Sequence, residues 1–304
     1  MKTNISFLSN GLKLAGHLYT PNDLQPGEQR PAIVVGHPFG GVKEQTAGLY
    51  AQKLAEKGLI ALAFDASYQG ESEGEPRFLE DPFVRAEDFK GAVDFLSNHA
   101  SVNPQRIGAL GICAAGGYVP FAAQTDRRIR AVATVSAADI GLLFREGLGG
   151  TGTPEQLKQL LEEVGQQRTR EARGEPVRLD PIVPDNPADI AEGTPTLYRE
   201  GSEYYRTPRA QHPHSPNTYV FTSIDRIAAY SSYDRIDLIS PHPLLMIAGT
   251  EADTRYFSEL AIKKAMEPKE LVLIEGASHI DLYDKEQFVG PAVEKMAGFF
   301  KHYL

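Results

Sequence analysis

The sequence is nearly devoid of cysteine: Cys113 is the only one in 304 residues. A lone cysteine cannot close a disulfide within the chain, which fits a reducing compartment and makes the cytoplasm the expected location. No Lys- or Arg-rich run occurs either, and the formal net charge is −9. These two facts argue against nucleic acid or an anionic membrane surface as partner, and solubility is explanation enough for the charge. Met1 to Phe7 lacks the apolar stretch of a signal peptide, and nothing later is long enough to span a bilayer. Internal repeats and low-complexity tracts are also missing. His212 and His214 have no nearby carboxylate or cysteine to complete a ligand set, so no metal is expected, and no cofactor is implied.

The composition itself is core-forming, 41% hydrophobic, and arranged in short runs. Ile5 to Phe7 and Leu12 to Tyr19 flank Asn10-Gly11, a strong hairpin signal. Continuous apolar runs then recur at Ala32–Val35, Leu59–Phe64, Ile107–Leu110, Ala131–Val135, Leu244–Ile247 and Leu271–Ile274, as expected of strands buried on both faces. Between them the period becomes helical: Phe89, Ala92, Val93 and Leu96 share one face, as do Phe288, Ala292, Val293, Met296 and Phe299. This alternation predicts an α/β fold with a mostly parallel sheet covered by helices, the opening hairpin adding antiparallel strands at one edge.

The alternation stops between about Asp139 and Ile239. Thr153-Pro154-Glu155-Gln156 predicts a helix start with a capping box, and beyond that helix prolines and tyrosines are crowded together, Tyr204 and Tyr205 among them. Because strands resume afterwards, residues 139–239 are expected to be an inserted cap, and residues 1–138 and 240–304 the core.

The sharpest local signal is Gly111-Ile112-Cys113-Ala114-Ala115-Gly116-Gly117, where a strand runs straight into a helix. A nucleophile elbow needs small residues two before and two after its strained centre, and Gly111 and Ala115 meet that need. The adjoining helix N-terminus is expected to favour a thiolate at Cys113. The bland alternative is an ordinary buried cysteine.

This motif resembles the Gly-x-Cys-x-Gly-Gly elbow of dienelactone hydrolases and related bacterial α/β-hydrolases. It departs at Ala115, where glycine is usual and a methyl group slightly tightens the turn. The resemblance covers most of the chain outside the cap and implies an α/β-hydrolase fold with an inserted helical cap. It places the catalytic histidine on the loop past the last strand, at His279 in Gly276-Ala277-Ser278-His279, in the chain order nucleophile, acid, histidine. It places the acid after the preceding strand, in Gly249-Thr250-Glu251-Ala252-Asp253-Thr254. Asp253 is the expected acid and Glu251 the alternative; as a competing reading, Asp253 also suits the N-cap of the next helix. The stretch Gly36-His37-Pro38-Phe39-Gly40-Gly41 resembles the oxyanion loop of lipases and esterases. Pro38 has no N–H, so the backbone N–H groups of Phe39 and Ala114 are the expected oxyanion donors, with His37 bracing the loop. Asp65 to Ser72 resembles a scaffolding turn of the same proteins and offers Tyr68 as a wall.

The implied activity is cleavage of ester, thioester or lactone bonds through a Cys113-His279-Asp253 triad, with a small-molecule acyl substrate as partner. His37, Tyr68, Tyr204 and Tyr205 are the expected pocket residues. Acyl transfer by the same residues and a non-catalytic binding protein on the same fold remain as alternatives, and homo-oligomerisation stays open.

Overall fold

The computed structural model describes residues 1–304. The chain opens with strands β1 (Lys2–Ser9) and β2 (Leu12–Tyr19), paired antiparallel in register from Lys2 with Tyr19 to Ser9 with Leu12. Asn10 and Gly11 both take positive φ, 48° and 80°, the twist that a two-residue turn between right-twisted strands requires.

The βα alternation comes next. Strand β3 (Arg30–Gly36) leads to helix α1 (Thr46–Glu56), β4 (Ile60–Phe64) to α2 (Pro82–Ser97), and β5 (Val102–Ile112) to α3 (Ala115–Ala123), ahead of β6 (Ile129–Val135). The next stretch holds helices α4 (Ile140–Glu146) and α5 (Pro154–Ala172), strand β7 (Leu179–Pro181), helix α6 (Thr196–Arg206), strand β8 (Thr218–Val220) and helix α7 (Ile224–Ala229). The chain closes with β9 (Leu244–Gly249), α8 (Arg255–Lys264), β10 (Lys269–Ile274), α9 (Asp281–Asp284) and α10 (Glu286–Tyr303).

Eight strands form one sheet in the order β1-β2-β4-β3-β5-β6-β9-β10. From β4 to β10 every pairing is parallel, and β2 joins β4 antiparallel, so the hairpin occupies one edge as expected. The apolar runs are buried throughout β3, β4, β6 and β9. Two large apolar clusters cover the two faces: one carries Phe89 of α2 and Phe257 of α8, the other Tyr50 of α1 and Met296 of α10.

The segment from α4 to α7 adds no strand to this sheet. The predicted capping box at its start is present: Thr153 and Gln156 exchange hydrogen bonds of 2.8 and 3.2 Å. The segment is not wholly helical, because β7 and β8 pair as a short antiparallel ribbon. No helix of the chain is long and apolar enough to cross a membrane.

Candidate active site

At the carboxyl end of the sheet, β5 turns into α3 through Cys113, whose φ is +56°. That left-handed conformation costs a residue with a Cβ about 1–3 kcal/mol and persists only where the surroundings enforce it. Here Cys113 N–H donates to Val135 O at 3.1 Å, and Cys113 O accepts from Gly116 N–H at 2.8 Å and Ala138 N–H at 2.9 Å. The turn is tight: a Cβ at Gly111 would lie 2.1 Å from Ala115 O. The Ala115 methyl is accommodated because position 36 is also glycine, where a Cβ would sit 2.8 Å from it.

Cys113 is partly exposed, onto a cavity. The N–H groups of Ala114 and Phe39 both point at its sulfur, and neither is taken by a turn or loop carbonyl. Burial raises the thiol's pKa, outweighing the Tyr283 hydroxyl, these two amides and the Arg85 charge, all of which lower it. Burial thus opposes the helix N-terminus that was expected to favour a thiolate.

Phe39 is positioned by the loop after β3. His37 is fully buried there: Nδ1–H donates to Pro38 O at 2.7 Å, and Nε2 accepts Ala66 N–H at 3.2 Å. Burial, reinforced by the Arg85 charge, holds its pKa well below the ordinary value and keeps the ring neutral. Buried Arg85 donates to His37 O at 2.9 Å and pairs with buried Glu80 at 3.1 Å, which also accepts the Tyr118 hydroxyl at 2.7 Å. The loop is thus clamped from below. The Asp65 to Ser72 turn is scaffolding too, since Lys43 Nζ ties Asp65, Glu71 and Glu44 together at 2.7–2.8 Å.

His279 lies on the loop after β10, with Ser136 Oγ donating to its carbonyl at 3.0 Å. Its ring contacts two hydroxyls, Thr254 Oγ1 at 2.5 Å from Nδ1 and Tyr283 Oη at 3.2 Å from Nε2. No carboxylate reaches it. Burial alone therefore sets its pKa, lowered from 6.5 to about 3, and the ring is neutral.

Asp253, the expected acid, makes no hydrogen bond to the His279 ring in this structure. One of its oxygens accepts the Leu197 N–H of α6 at 2.9 Å, and the other is buried without a partner. It does not cap α8, which begins after Thr254 with no side-chain cap bond. Helix α6 packs over both loops, since its Glu200 also accepts from Ser278 Oγ beside the histidine. Glu251, the alternative acid, is exposed.

The cavity above Cys113 measures about 270 Å³ and is mostly apolar. The core supplies Phe39, Ile280 and Tyr283; the cap supplies Ile140, Phe144, Ile182, Val183, Leu197, Tyr198, Tyr205 and Tyr219. Of the four expected pocket residues only Tyr205 lines it. Tyr204 faces an adjacent, more polar cavity, and His37 and Tyr68 line neither. Residues missed from the sequence are Thr254, Tyr283 and Arg85. Tyr283 stands only four residues after His279, a proximity in sequence that would have brought it to notice.

Comparison with known proteins shows the family of the chain and its fold. A family model described as "Dienelactone hydrolase family" matches residues 14–137. The chain is 39% identical to the uncharacterized protein YcjY of Escherichia coli K12, over 100% of both chains. The crystal structure of the hypothetical protein PA2218 from Pseudomonas aeruginosa superposes with a TM-score of 0.94 at 40% identity, covering 100% of this chain and 94% of that one. The polyketide transferase grgF of a Penicillium species is 27% identical, over 92% of this chain and 90% of its own.

Proposed function

The chain belongs to the dienelactone hydrolase family of α/β-hydrolases, and on that premise we propose that it cleaves ester, thioester or lactone bonds through an acyl-enzyme on Cys113. That it is an enzyme of hydrolase type follows from the family. The observation that supports the sulfur as nucleophile is the convergence on it of two backbone N–H groups, from Phe39 and Ala114. Donors fixed in place before reaction stabilise an oxyanion without reorganising, and each contributes roughly 10²–10³ in rate.

In this reading the resting pair is neutral: a thiol held up by burial and an imidazole held down by it. The thiol proton leaves as sulfur attacks, so charge develops only along the reaction path, where the two amides meet it. His279 is the base. Thr254 rather than Asp253 steadies its ring: the tautomer that leaves Nε2 able to accept places the proton on Nδ1, donating to Thr254 Oγ1. Asp253 instead fastens α6, which walls the cavity.

The apolar lining suits an acyl group of modest size with an aliphatic or aromatic body. Acyl transfer is the second reading, favoured by the same lining, which shields an acyl-enzyme from water, and by the full-length likeness to a polyketide transferase.

Intact-protein mass spectrometry after exposure to a panel of activated esters and acyl thioesters tests the proposal. The expected result is a mass increment on Cys113 that is absent in Cys113→Ala, with turnover lost and the thermal midpoint nearly unchanged. Sustained turnover by Cys113→Ala would overturn it. Added alcohols, amines or thiols separate the two readings by their products.

A further inference from the structure

Tyr283 occupies a place that neither the sequence motif nor the expected triad assigns. It is fully buried in α9, four residues beyond His279, at 1% exposure. Its hydroxyl lies 3.2 Å from His279 Nε2, and Tyr283 lines the same cavity as Cys113, whose thiol pKa it lowers as a hydrogen-bonding neighbour. No other hydrogen bond engages Nε2, and none joins the thiol to the ring directly. The phenol ring is wedged edge-on against Tyr204, with centroids 5.1 Å apart, and forms part of the wall of both the apolar cavity and its polar neighbour. Its position is therefore set by packing, independently of any substrate.

We propose that Tyr283 is a catalytic residue, a hydroxyl relay through which the proton of Cys113 reaches His279. This inference rests on Cys113 as nucleophile and His279 as base, and it adds the path between them. As the sulfur lone pair bonds to the carbonyl carbon, the carbonyl π pair moves to oxygen and the S–H bond breaks. The thiol proton passes to the Tyr283 oxygen while the Tyr283 O–H proton passes to Nε2, leaving an imidazolium and a neutral phenol. On collapse the phenol gives its proton to the leaving oxygen or sulfur as the bond to the acyl carbon breaks, and the imidazolium reprotonates the phenol. Atoms and charge balance at each step, and no co-reactant is needed. Burial holds the phenol well above its ordinary pKa, which disfavours a free tyrosinate and requires both protons to move together. A hydroxyl in this place also spares the ring from having to approach the sulfur, with Nδ1 already held by Thr254.

The test compares wild type, Tyr283→Phe and Cys113→Ala in pre-steady-state acylation by p-nitrophenyl butyrate, in H₂O, D₂O and mixtures. Phenylalanine keeps the packing against Tyr204 and removes only the hydroxyl, and circular dichroism with a thermal melt checks that the fold is retained. The expected result is an acylation rate about 100-fold lower in Tyr283→Phe, in the range of a lost acid–base group. The wild-type rate should bend with deuterium content as two moving protons require, and the variant's should lose that curvature. Acylation of Tyr283→Phe within about twofold of wild type, or a linear dependence in the wild type, would overturn the relay while leaving Cys113 as nucleophile. Turnover persisting in Cys113→Ala would instead remove the underlying reading, and the relay with it.

Discussion

The turn after β5 and the turn after β9 both deliver residues to the carboxyl end of one sheet, but they are held by different things. The first is held by its own backbone: Cys113 donates to Val135 and accepts from Gly116 and Ala138, and no side chain at position 111 would fit. The second has backbone bonds too, Thr250 N–H to Ile274 O and Glu251 N–H to Ala277 O at 3.0 Å, and a glycine, Gly249, where a Cβ would lie 2.0 Å from Ala277 O. It adds side chains committed elsewhere, Thr254 to the His279 ring and Asp253 to the first turn of α6. Residues 139–239 reach the first turn as well, Tyr233 Oη donating to Gly116 O at 3.0 Å and Tyr230 Oη to Gly117 O at 3.3 Å, but at carbonyls beyond Cys113 itself. In the second turn the committed groups are Thr254 and Asp253 themselves, which answer to the histidine loop and to α6. The place of Cys113 is thus set mainly by backbone bonds, and those of Thr254 and Asp253 also by side-chain bonds to distant segments.

This contrast can be broken from either side. The largest effect is expected from Gly111→Ala, which puts a methyl into Ala115 O and should cost about 3 kcal/mol or more, read by denaturant unfolding, with activity falling alongside. Next, Thr254→Val keeps the shape but strips the partner from Nδ1. An unpaired buried N–H costs about 1–3 kcal/mol, so kcat/KM should fall roughly 10- to 100-fold in steady-state assays.

A third effect concerns pH. His279 titrates near 6.5 when unfolded and near 3 when folded, and buried His37 is shifted the same way. Between those values the unfolded chain binds more protons, so stability is full above about pH 6.5 and declines as pH falls towards 3. At roughly pH 5 His279 accounts for about 2 kcal/mol, and His37 acts in the same direction. His279→Gln should flatten the slope by about one proton, measured by chemical unfolding across that range. The smallest effect is expected from Asp253→Asn, whose side-chain carbonyl can still accept Leu197 N–H. Its kcat/KM should stay within about threefold of wild type. A fall of 100-fold would mean that the carboxylate reaches His279 during turnover and that the two turns differ less than their hydrogen bonds suggest.

The parts of this molecule that depend on neighbours along the chain are legible in the amino-acid order alone. The Asn10-Gly11 turn, the capping box at Thr153 and the small residues around Cys113 each encode a backbone conformation within a few positions. The apolar runs encode burial on both faces and hence a parallel sheet. The bond from Leu197 N–H to Asp253 is hidden because Leu197 is 56 residues away in a helix whose docking no local pattern specifies. The short β7–β8 ribbon and the choice of Tyr205 over Tyr204 for the cavity wall are hidden for the same reason.

The sequence by itself determined the layered α/β core, the insertion between β6 and β9, and the lone sulfur on a strained turn, because periodicity, glycine and proline act through local sterics. Only the tertiary structure decided that a threonine and a tyrosine flank the histidine, that burial raises the thiol's pKa, and that an aspartate accepts from the first turn of α6. Those outcomes depend on desolvation and on contacts between distant segments, and both come into being only when the segments meet.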